Sequence, residues 1–305
     1  MSTEGFKSRK TLRGVIPPLS TPFENGEIAP GRLRANIEKL IPTGLSGYLV
    51  LGSNGETPLL DEAERLKLVE AARTAIPQES ILMVGAGRES TRETIQFVNR
   101  VADLGADCVL VLTPSFYRGA MTSEALYRHY LAVAEGSKIG VLIYIVPQFT
   151  GGVIVDSDTV GRLAEHSNIV GLKDSSGHIT RFAEYVSKTP DDFSAFVGSA
   201  GAFYPALAVG AAGGVLAIAN VVPQLCVRMK NLFESGDLAS TRRLQAAVIP
   251  FARAVTEQHG IAGLKAAMEL KGYFGGEPRP PLLPVGDQVR EQLRVLLETL
   301  EGVDA

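Results

Sequence analysis

Lys173 is the residue whose type and position point most directly to chemistry. It follows the largely apolar segment Asn168–Leu172, which is typical of a buried strand, so its amine is expected to project from the strand end. An apolar environment disfavours the charged ammonium form, and a neutral amine attacks a carbonyl carbon. The position is also compatible with a lysine that simply extends its ammonium group to water. Lys173 is therefore a candidate nucleophile.

Tyr144 ends the preceding apolar run, Gly140–Tyr144. Neighbouring strands lie about 4.8 Å apart. A phenol at this position would therefore reach a substrate attached to Lys173 and transfer a proton. In the alternative interpretation, the ring fills the interior and the hydroxyl bonds to backbone.

The segment Gly52–Gly55 also follows an apolar run and consists of small or polar residues. Such residues let backbone N–H groups converge on an anion, and Ser53 adds a hydroxyl group. An ordinary turn between a strand and a helix would use the same residue types.

The histidines and cysteines form no metal or disulfide pattern. None of the histidines has a close histidine partner or an acidic cluster beside it at a strand end; they are His129, His166, His178 and His259. Cys108 and Cys226 each lie in an apolar run and are predicted to be buried free thiols. We therefore expect no metal site and no disulfide.

Eight short aliphatic runs recur along the chain. They are almost continuously apolar, as strands covered on both faces are. The runs are Gly14–Ile16, Gly47–Leu51, Ile81–Gly85, Cys108–Leu112, Gly140–Tyr144, Ile169–Lys173, Ser194–Gly198 and Gly213–Ala217.

Helical patterns separate these runs and continue after the last one. Those between strands begin at Asp61, Ser90, Thr122 and Asp156, all residue types that cap helices. The later ones are Leu225–Phe233, Ser240–Gln258, Gly263–Lys271 and Asp287–Leu300. The alternation predicts an α/β fold: a (β/α)8 TIM barrel over residues 1–233, with a C-terminal helical extension over residues 234–305 packed on it. Active sites of such barrels lie at the C-terminal ends of the strands.

The composition excludes several classes of protein. The 305 residues carry 30 basic and 33 acidic side chains, a net charge of -3, which does not favour a nucleic-acid partner. With 45% apolar residues the chain is not disordered. No stretch is long enough for a membrane span, and Met1–Arg13 has no apolar core of a secretory signal. We expect a soluble, cytoplasmic protein.

The order and content of these segments resemble the dihydrodipicolinate synthase/N-acetylneuraminate lyase family. The resemblance runs from about Leu12 to the last helix, and its motifs are Gly52–Glu56, Tyr117–Gly119, Tyr144–Pro147, Gly171–Ser175 and Ala219–Val221. It implies a (β/α)8 barrel with a helical extension, usually a homotetramer built as a dimer of dimers. It also implies a class I aldolase or lyase that binds pyruvate or another 2-oxo acid as a lysine Schiff base, without a metal or organic cofactor.

Four residues match catalytic positions of that family. By this resemblance, Lys173 is the Schiff-base lysine and Tyr144 is the tyrosine that relays protons. Ser53 stands where the family has threonine or serine in a hydroxyl relay. Tyr117 matches the second tyrosine of the relay, which reaches in from a neighbouring subunit.

Other matches imply how the 2-oxo acid is bound. The backbone N–H groups of Ser53 and Asn54 would hold its carboxylate. The backbone carbonyl of Val215 would line the pyruvate pocket. Ser175, within the lysine motif, is a further substrate-binding candidate.

Within the family, several motifs resemble those of 4-hydroxy-2-oxoglutarate aldolase, among them Gly198–Gly201 and Gly260–Lys265. This resemblance implies cleavage of 4-hydroxy-2-oxoglutarate into pyruvate and glyoxylate. The alternatives are 4-hydroxy-tetrahydrodipicolinate synthase and another pyruvate-dependent aldolase or dehydratase of the family. A catalytically inactive 2-oxo acid sensor is the non-enzyme alternative.

Two positions depart from the pattern of the lysine-pathway synthases. These enzymes have Tyr-Asn-Val-Pro followed by an arginine that holds the carboxylate of the aldehyde substrate, whereas this chain has Ile145 and Phe149 at the two positions. Phenylalanine cannot replace a bidentate guanidinium. The departure counts against dihydrodipicolinate synthase and leaves open which group holds the second carboxylate of 4-hydroxy-2-oxoglutarate.

Overall fold

Eight parallel strands form the centre of the fold. A computed structural model describes residues 10–304, so the expectation of no secretory signal falls largely on residues 1–9, outside the described residues. The barrel strands are β1 (Gly14–Ile16), β4 (Gly47–Val50), β5 (Ile81–Gly85), β6 (Cys108–Leu112), β7 (Gly140–Ile145), β8 (Ile169–Asp174), β9 (Ser194–Val197) and β10 (Gly213–Val215). The strands β2 (Phe23–Glu24) and β3 (Glu27–Ile28) pair separately as an antiparallel hairpin.

The sheet closes on itself. Its strands are hydrogen-bonded in the order β4-β5-β6-β7-β8-β9-β10-β1. Between the two end strands, the Leu49 N–H donates to the Pro17 carbonyl at 3.0 Å, and the Leu19 N–H donates to the Leu49 carbonyl at 2.8 Å. The predicted (β/α)8 barrel is confirmed.

Helices follow the strands and cover the outside of the barrel. The helices begun by the predicted capping residues are α2 (Glu62–Ala75), α3 (Thr91–Asp103), α4 (Ser123–Gly136) and α5 (Ser157–Ala164). In α2, the Asp61 side chain accepts the Glu64 N–H and the Glu64 side chain accepts the Asp61 N–H, a capping box. The helix α8 (Pro223–Glu234) completes the eighth unit.

Three barrel helices carry weak start signals and were not expected from the sequence: α1 (Pro30–Leu40), α6 (Ile179–Ser187) and α7 (Phe203–Ala208). In α1 no side chain caps the first turn, and in α7 the helix is only 6 residues long. In α6 the cap is the imidazole of His178, which accepts the Arg181 N–H at 3.2 Å. Histidine is not among the residue types that mark a helix start.

The C-terminal extension contains α9 (Leu238–Arg253), α10 (Gly260–Leu270) and α11 (Asp287–Asp304). The pattern Ser240–Gln258 predicts one helix, but the α-helix ends at Arg253 and Ala254–Gln258 form a π-helical segment. Such segments occur often at functional sites. No helix within residues 10–304 is long and apolar enough to cross a membrane.

Buried polar side chains attach the extension to the barrel, Gln245 and Asn36 among them. Gln245 of α9 donates to the Ala200 carbonyl at 3.0 Å and accepts the Tyr204 N–H at 2.7 Å. Asn36 of α1 both donates to and accepts from the backbone of Phe274, at 2.8 Å in each case. The division of the chain at residue 233 stays a prediction.

The core has two layers. One lies between the sheet and the surrounding helices. The other fills the barrel itself and includes Ile16, Leu49, Met83, Leu110, Leu142, Tyr144, Phe196 and Val215. Tyr144 and Val215 thus belong to the barrel interior, at the end where the strands finish.

Candidate active site

Lys173 and Tyr144 lie side by side on adjacent strands. They are direct partners in the parallel pairing of β8 with β7. Lys173 is only 4% exposed, and its Nζ lies 4.5 Å from the centre of the Tyr144 ring. The lysine is therefore a buried amine facing the interior, and not a strand-end lysine that extends into water.

No carboxylate neutralises this amine within the part of the chain that the structure describes, where Nζ of Lys173 has neither an ion pair nor a hydrogen bond. The nearest acid in sequence, Asp174, accepts the N–H of Ser176 at 2.8 Å and its hydroxyl at 2.9 Å instead. Burial raises the pKa of Asp174, and these hydrogen bonds oppose the rise. An unpaired amine in this environment is suited to nucleophilic attack.

The strand-2 loop, Gly52–Gly55, follows β4, the second strand of the barrel, and brings a hydroxyl group to the same place. Ser53 Oγ lies 3.2 Å from the hydroxyl of Tyr144, so the phenol is bonded to a side chain rather than to backbone. Residues Ser53–Gly55 form a short 3-10 turn. The N–H groups of its first residues, Ser53 and Asn54, have no acceptor within the turn, as at any helix start.

These groups open into one cavity of about 850 Å³ at the C-terminal ends of the strands. Six of the predicted site residues line it, and they are Lys173, Tyr144, Ser53, Asn54, Ser175 and Val215. The segments that the sequence singled out separately therefore form a single site. Their catalytic and binding roles remain predictions.

Tyr117 is the exception. It precedes the short turn Arg118–Ala120, is 72% exposed and contacts Phe116 edge to face at 5.0 Å. It does not line the cavity of its own chain. This location is compatible with the role in a neighbouring subunit that the resemblance implies, and that role is still a prediction.

The two departures from the synthase pattern lie in different surroundings. Ile145 is fully buried and packs in the layer between sheet and helices. Phe149 is 62% exposed and lines the cavity. Only the change at Phe149 therefore alters the surface that a substrate meets.

Arg253 is a cavity residue that the sequence did not reveal. It is the only cation besides Lys173 among the described lining residues. Its Nε lies 3.9 Å from Glu257 Oε2, and both side chains are largely exposed, which makes the pair weak. No sequence signal marks this arginine. It belongs to a long helix of the extension, and along the sequence it is far from every strand end.

The cysteines and histidines take no part in the site. Cys108 and Cys226 are buried free thiols. His129 is buried, its Nδ1 lies 2.8 Å from Thr91 Oγ1, and desolvation lowers its pKa to about 4. Over residues 10–304, no group of three metal-ligating side chains of the His, Cys, Asp or Glu types is present.

Gly198 is required because the side chains of Ser175 and Lys173 lie directly against it. A Cβ atom at this position would lie 1.9 Å from Ser175 Oγ and 2.8 Å from Lys173 Cε. We expect Gly198→Ala to displace the lysine and to lower kcat roughly 10- to 100-fold, because small misplacements of reacting groups are costly. Steady-state kinetics test this, with Gly286→Ala, whose Cβ meets nothing within 4 Å, as the control. Equal kinetics for the two variants would contradict it.

A (β/α)8 barrel with a buried, unpaired lysine and a tyrosine at its mouth defines an enzyme of the class I aldolase type. The chain belongs to the dihydrodipicolinate synthetase family, whose model matches residues 11–300. Members of this family are pyruvate-dependent lyases and synthases, so the chain is a carbon–carbon lyase of this class.

Relatives and solved structures agree with this assignment. The chain is 34% identical to 4-hydroxy-tetrahydrodipicolinate synthase of Methanopyrus kandleri, over 95% of this chain and 96% of the relative. It is 35% identical to the synthase of the same name from Methanothrix thermoacetophila, over 96% and 98%.

Two dihydrodipicolinate synthase structures superpose closely. A monomeric variant has a TM-score of 0.92 and 31% identity, covering 98% of this chain and 100% of that one. The Thermotoga maritima enzyme has a TM-score of 0.91 and 32% identity, covering 96% and 99%. These relatives are named as the synthase, which was the alternative expected from the sequence. None of these four is named 4-hydroxy-2-oxoglutarate aldolase.

Proposed function

We propose that Lys173 forms a Schiff base with a 2-oxo acid, pyruvate in the simplest case, and that the chain makes or breaks the carbon–carbon bond one carbon beyond the imine carbon, C3–C4 of the 2-oxo acid. The observation that carries the proposal is the buried Lys173 amine beside the paired hydroxyl groups of Tyr144 and Ser53. A phenol beside the lysine is suited to move the protons of an aldol reaction on a substrate bound there.

The reaction follows from these positions. The Lys173 amine adds to the carbonyl carbon, and loss of water gives an iminium that withdraws electrons. In the cleavage direction, Tyr144 takes the proton of the substrate hydroxyl, the carbon–carbon bond breaks, an aldehyde leaves, and the remaining enamine is protonated and hydrolysed. In the synthetic direction, the enamine of pyruvate attacks the aldehyde. Ser53 passes the proton on, and Tyr117 of a neighbouring subunit would continue the relay to solvent.

The rest of the site would hold the carboxylate of the 2-oxo acid. The N–H groups of Ser53 and Asn54 are available at the start of their turn. Ser175 comes two residues after Lys173, and both Ser175 and Val215 line the same cavity. Fixed donors of this kind orient the imine without reorganisation.

The relatives favour 4-hydroxy-tetrahydrodipicolinate synthase as the particular reaction, since that is the activity named for them. A second candidate, cleavage of 4-hydroxy-2-oxoglutarate, is kept because Phe149 lines the cavity where the resemblance leads us to expect the arginine of such synthases, which counts against the synthase reaction. Both partner aldehydes carry a carboxylate, and Arg253 is the cation that the cavity offers for it.

Two assays on the purified protein separate these reactions. One follows condensation of pyruvate with aspartate semialdehyde, and the other follows release of pyruvate from 4-hydroxy-2-oxoglutarate. We expect one kcat/KM to exceed the other by at least about tenfold, which needs a difference of only about 1.4 kcal/mol between transition states. Activity in neither assay, with pyruvate still bound, would instead support the sensor or a different aldehyde.

We also propose a homotetramer, in line with the resemblance. The exposed aromatic pair Phe116 and Tyr117 supports a subunit contact at this loop, because large apolar side chains are seldom left in water together. The monomeric variant among the similar structures shows that the fold itself does not depend on such assembly.

A further inference from the structure

Glu56 lies directly behind the strand-2 loop, and its carboxylate is completely buried. It follows the turn Ser53–Gly55 with a left-handed φ of 55°. Its Oε1 lies 2.7 Å from Lys265 Nζ, and the two side chains are 0% and 1% exposed. Its Oε2 accepts the N–H of Arg279 at 2.8 Å. Residues of the C-terminal extension therefore hold both oxygens.

Lys265 also belongs to a helix that lines part of the cavity. Its Nζ donates to the Glu277 carbonyl at 3.0 Å and lies 4.5 Å from the centre of the Phe23 ring. It belongs to α10, whose first residues Gly260 and Ile261 line the cavity. One helix of the extension thus contacts the cavity at its start and, little more than one turn later, Glu56 at the end of the strand-2 loop.

Stability alone does not explain this ion pair. Burying two charges removes them from water, and the cost offsets most of their attraction, so apolar side chains of equal volume would serve the fold as well. What the pair does supply is geometry: it fixes a residue in a left-handed backbone conformation that non-glycine residues seldom adopt. That residue is the one immediately after the turn that faces the cavity.

We propose that Glu56 and Lys265 are positioning residues for the 2-oxo acid, acting together with the backbone of Arg279. Their ion pair holds the strand-2 loop so that the N–H groups of Ser53 and Asn54 converge on the carboxylate. This inference rests on the proposed function for the identity of the bound group. It makes the extension a necessary part of the binding site.

The test is a double variant that removes both charges and keeps the volume, Glu56→Gln with Lys265→Met. Pyruvate is titrated, borohydride is added, and the labelled fraction of Lys173 is measured by mass spectrometry. We expect the pyruvate concentration for half-maximal labelling to rise roughly 10- to 100-fold. Maximal labelling at saturating pyruvate should stay complete, since Lys173 itself is unchanged.

Thermal unfolding distinguishes positioning from a purely structural role. The single variant Glu56→Gln leaves Lys265 buried without its partner and is expected to lower the Tm, whereas the double variant should recover part of this loss because no unpaired charge remains buried. A double variant that folds normally and binds pyruvate with unaltered affinity would overturn the proposal.

Asn36→Ala is the matched control. It removes another buried attachment of the extension, the hydrogen bonds between Asn36 and the backbone of Phe274, and leaves Glu56 and Lys265 unchanged. We expect a lower Tm with an unaltered pyruvate titration. Borohydride labelling of Lys173 by pyruvate is measured first on the unaltered protein. If no label is found there, the result counts against the proposed function rather than against the role of Glu56.

Discussion

Replacing Lys173 with alanine is expected to abolish the Schiff base and to lower turnover by roughly three orders of magnitude or more, because the nucleophile is lost. Among the lining residues within 10–304, Lys173 is the only lysine, so no other described primary amine is placed to substitute for it. Borohydride reduction in the presence of pyruvate should add the reduced adduct at Lys173 in the unaltered protein. The alanine variant should show no adduct by mass spectrometry.

Lys173→Arg is the control for charge. A guanidinium keeps the positive charge and much of the length of the side chain but does not form an imine, so this variant should be as inactive as the alanine variant. Activity that survives in the arginine variant would show that the lysine acts through its charge. An adduct that persists in the alanine variant would place the Schiff base elsewhere.

Replacing Tyr144 with phenylalanine is expected to lower kcat about 100- to 10,000-fold, the usual contribution of a positioned proton-transfer group. The ring fills the barrel interior and stays in place, while the hydroxyl that lies 3.2 Å from Ser53 is removed. Steady-state turnover should fall. Exchange of the methyl protons of pyruvate with solvent, followed by NMR, should slow as well, because it requires proton transfer at the enzyme-bound imine.

Tyr130→Phe is the matched control for this experiment. The Tyr130 hydroxyl is also buried, but it donates to the Val111 carbonyl at 3.0 Å and does not line the cavity. Its loss should reduce the Tm and leave kcat unaltered, because an unpaired buried carbonyl affects stability and not proton transfer. Equal kcat values for the two phenylalanine variants would remove Tyr144 from the mechanism.

The sequence predicted the buried strands well, because each of them is a continuous apolar run. The runs Gly140–Tyr144 and Ile169–Lys173 were predicted as strands, and in the structure each extends by one residue, to Ile145 and Asp174. Apolar runs of this length are typical of strands covered on both faces, as in a parallel sheet, and their eightfold alternation with helices predicts the barrel. The position of a lysine at the end of such a run then places it at the barrel mouth.

The sequence was less informative where a residue's surroundings come from distant parts of the chain. Ile145 and Phe149 both depart from the synthase pattern, but only Phe149 faces the cavity, because Ile145 lies on the outer face of its strand. Arg253 joins the same cavity from the extension. The place of Arg253 in the cavity depends on how the extension docks, which no local pattern encodes.

Lys173, Tyr144 and the strand-2 loop were recognisable from the sequence by itself, because strand ends and turns are local features, and the closed barrel followed from their repetition. Only the tertiary structure decided how these groups are held. Strand pairing placed Tyr144 beside Lys173. A buried carboxylate at Glu56 met the backbone of Arg279, 223 residues further along the chain. Contacts over such separations depend on how whole helices and strands pack. A sequence pattern predicts the helices and strands but not which of their faces contact each other.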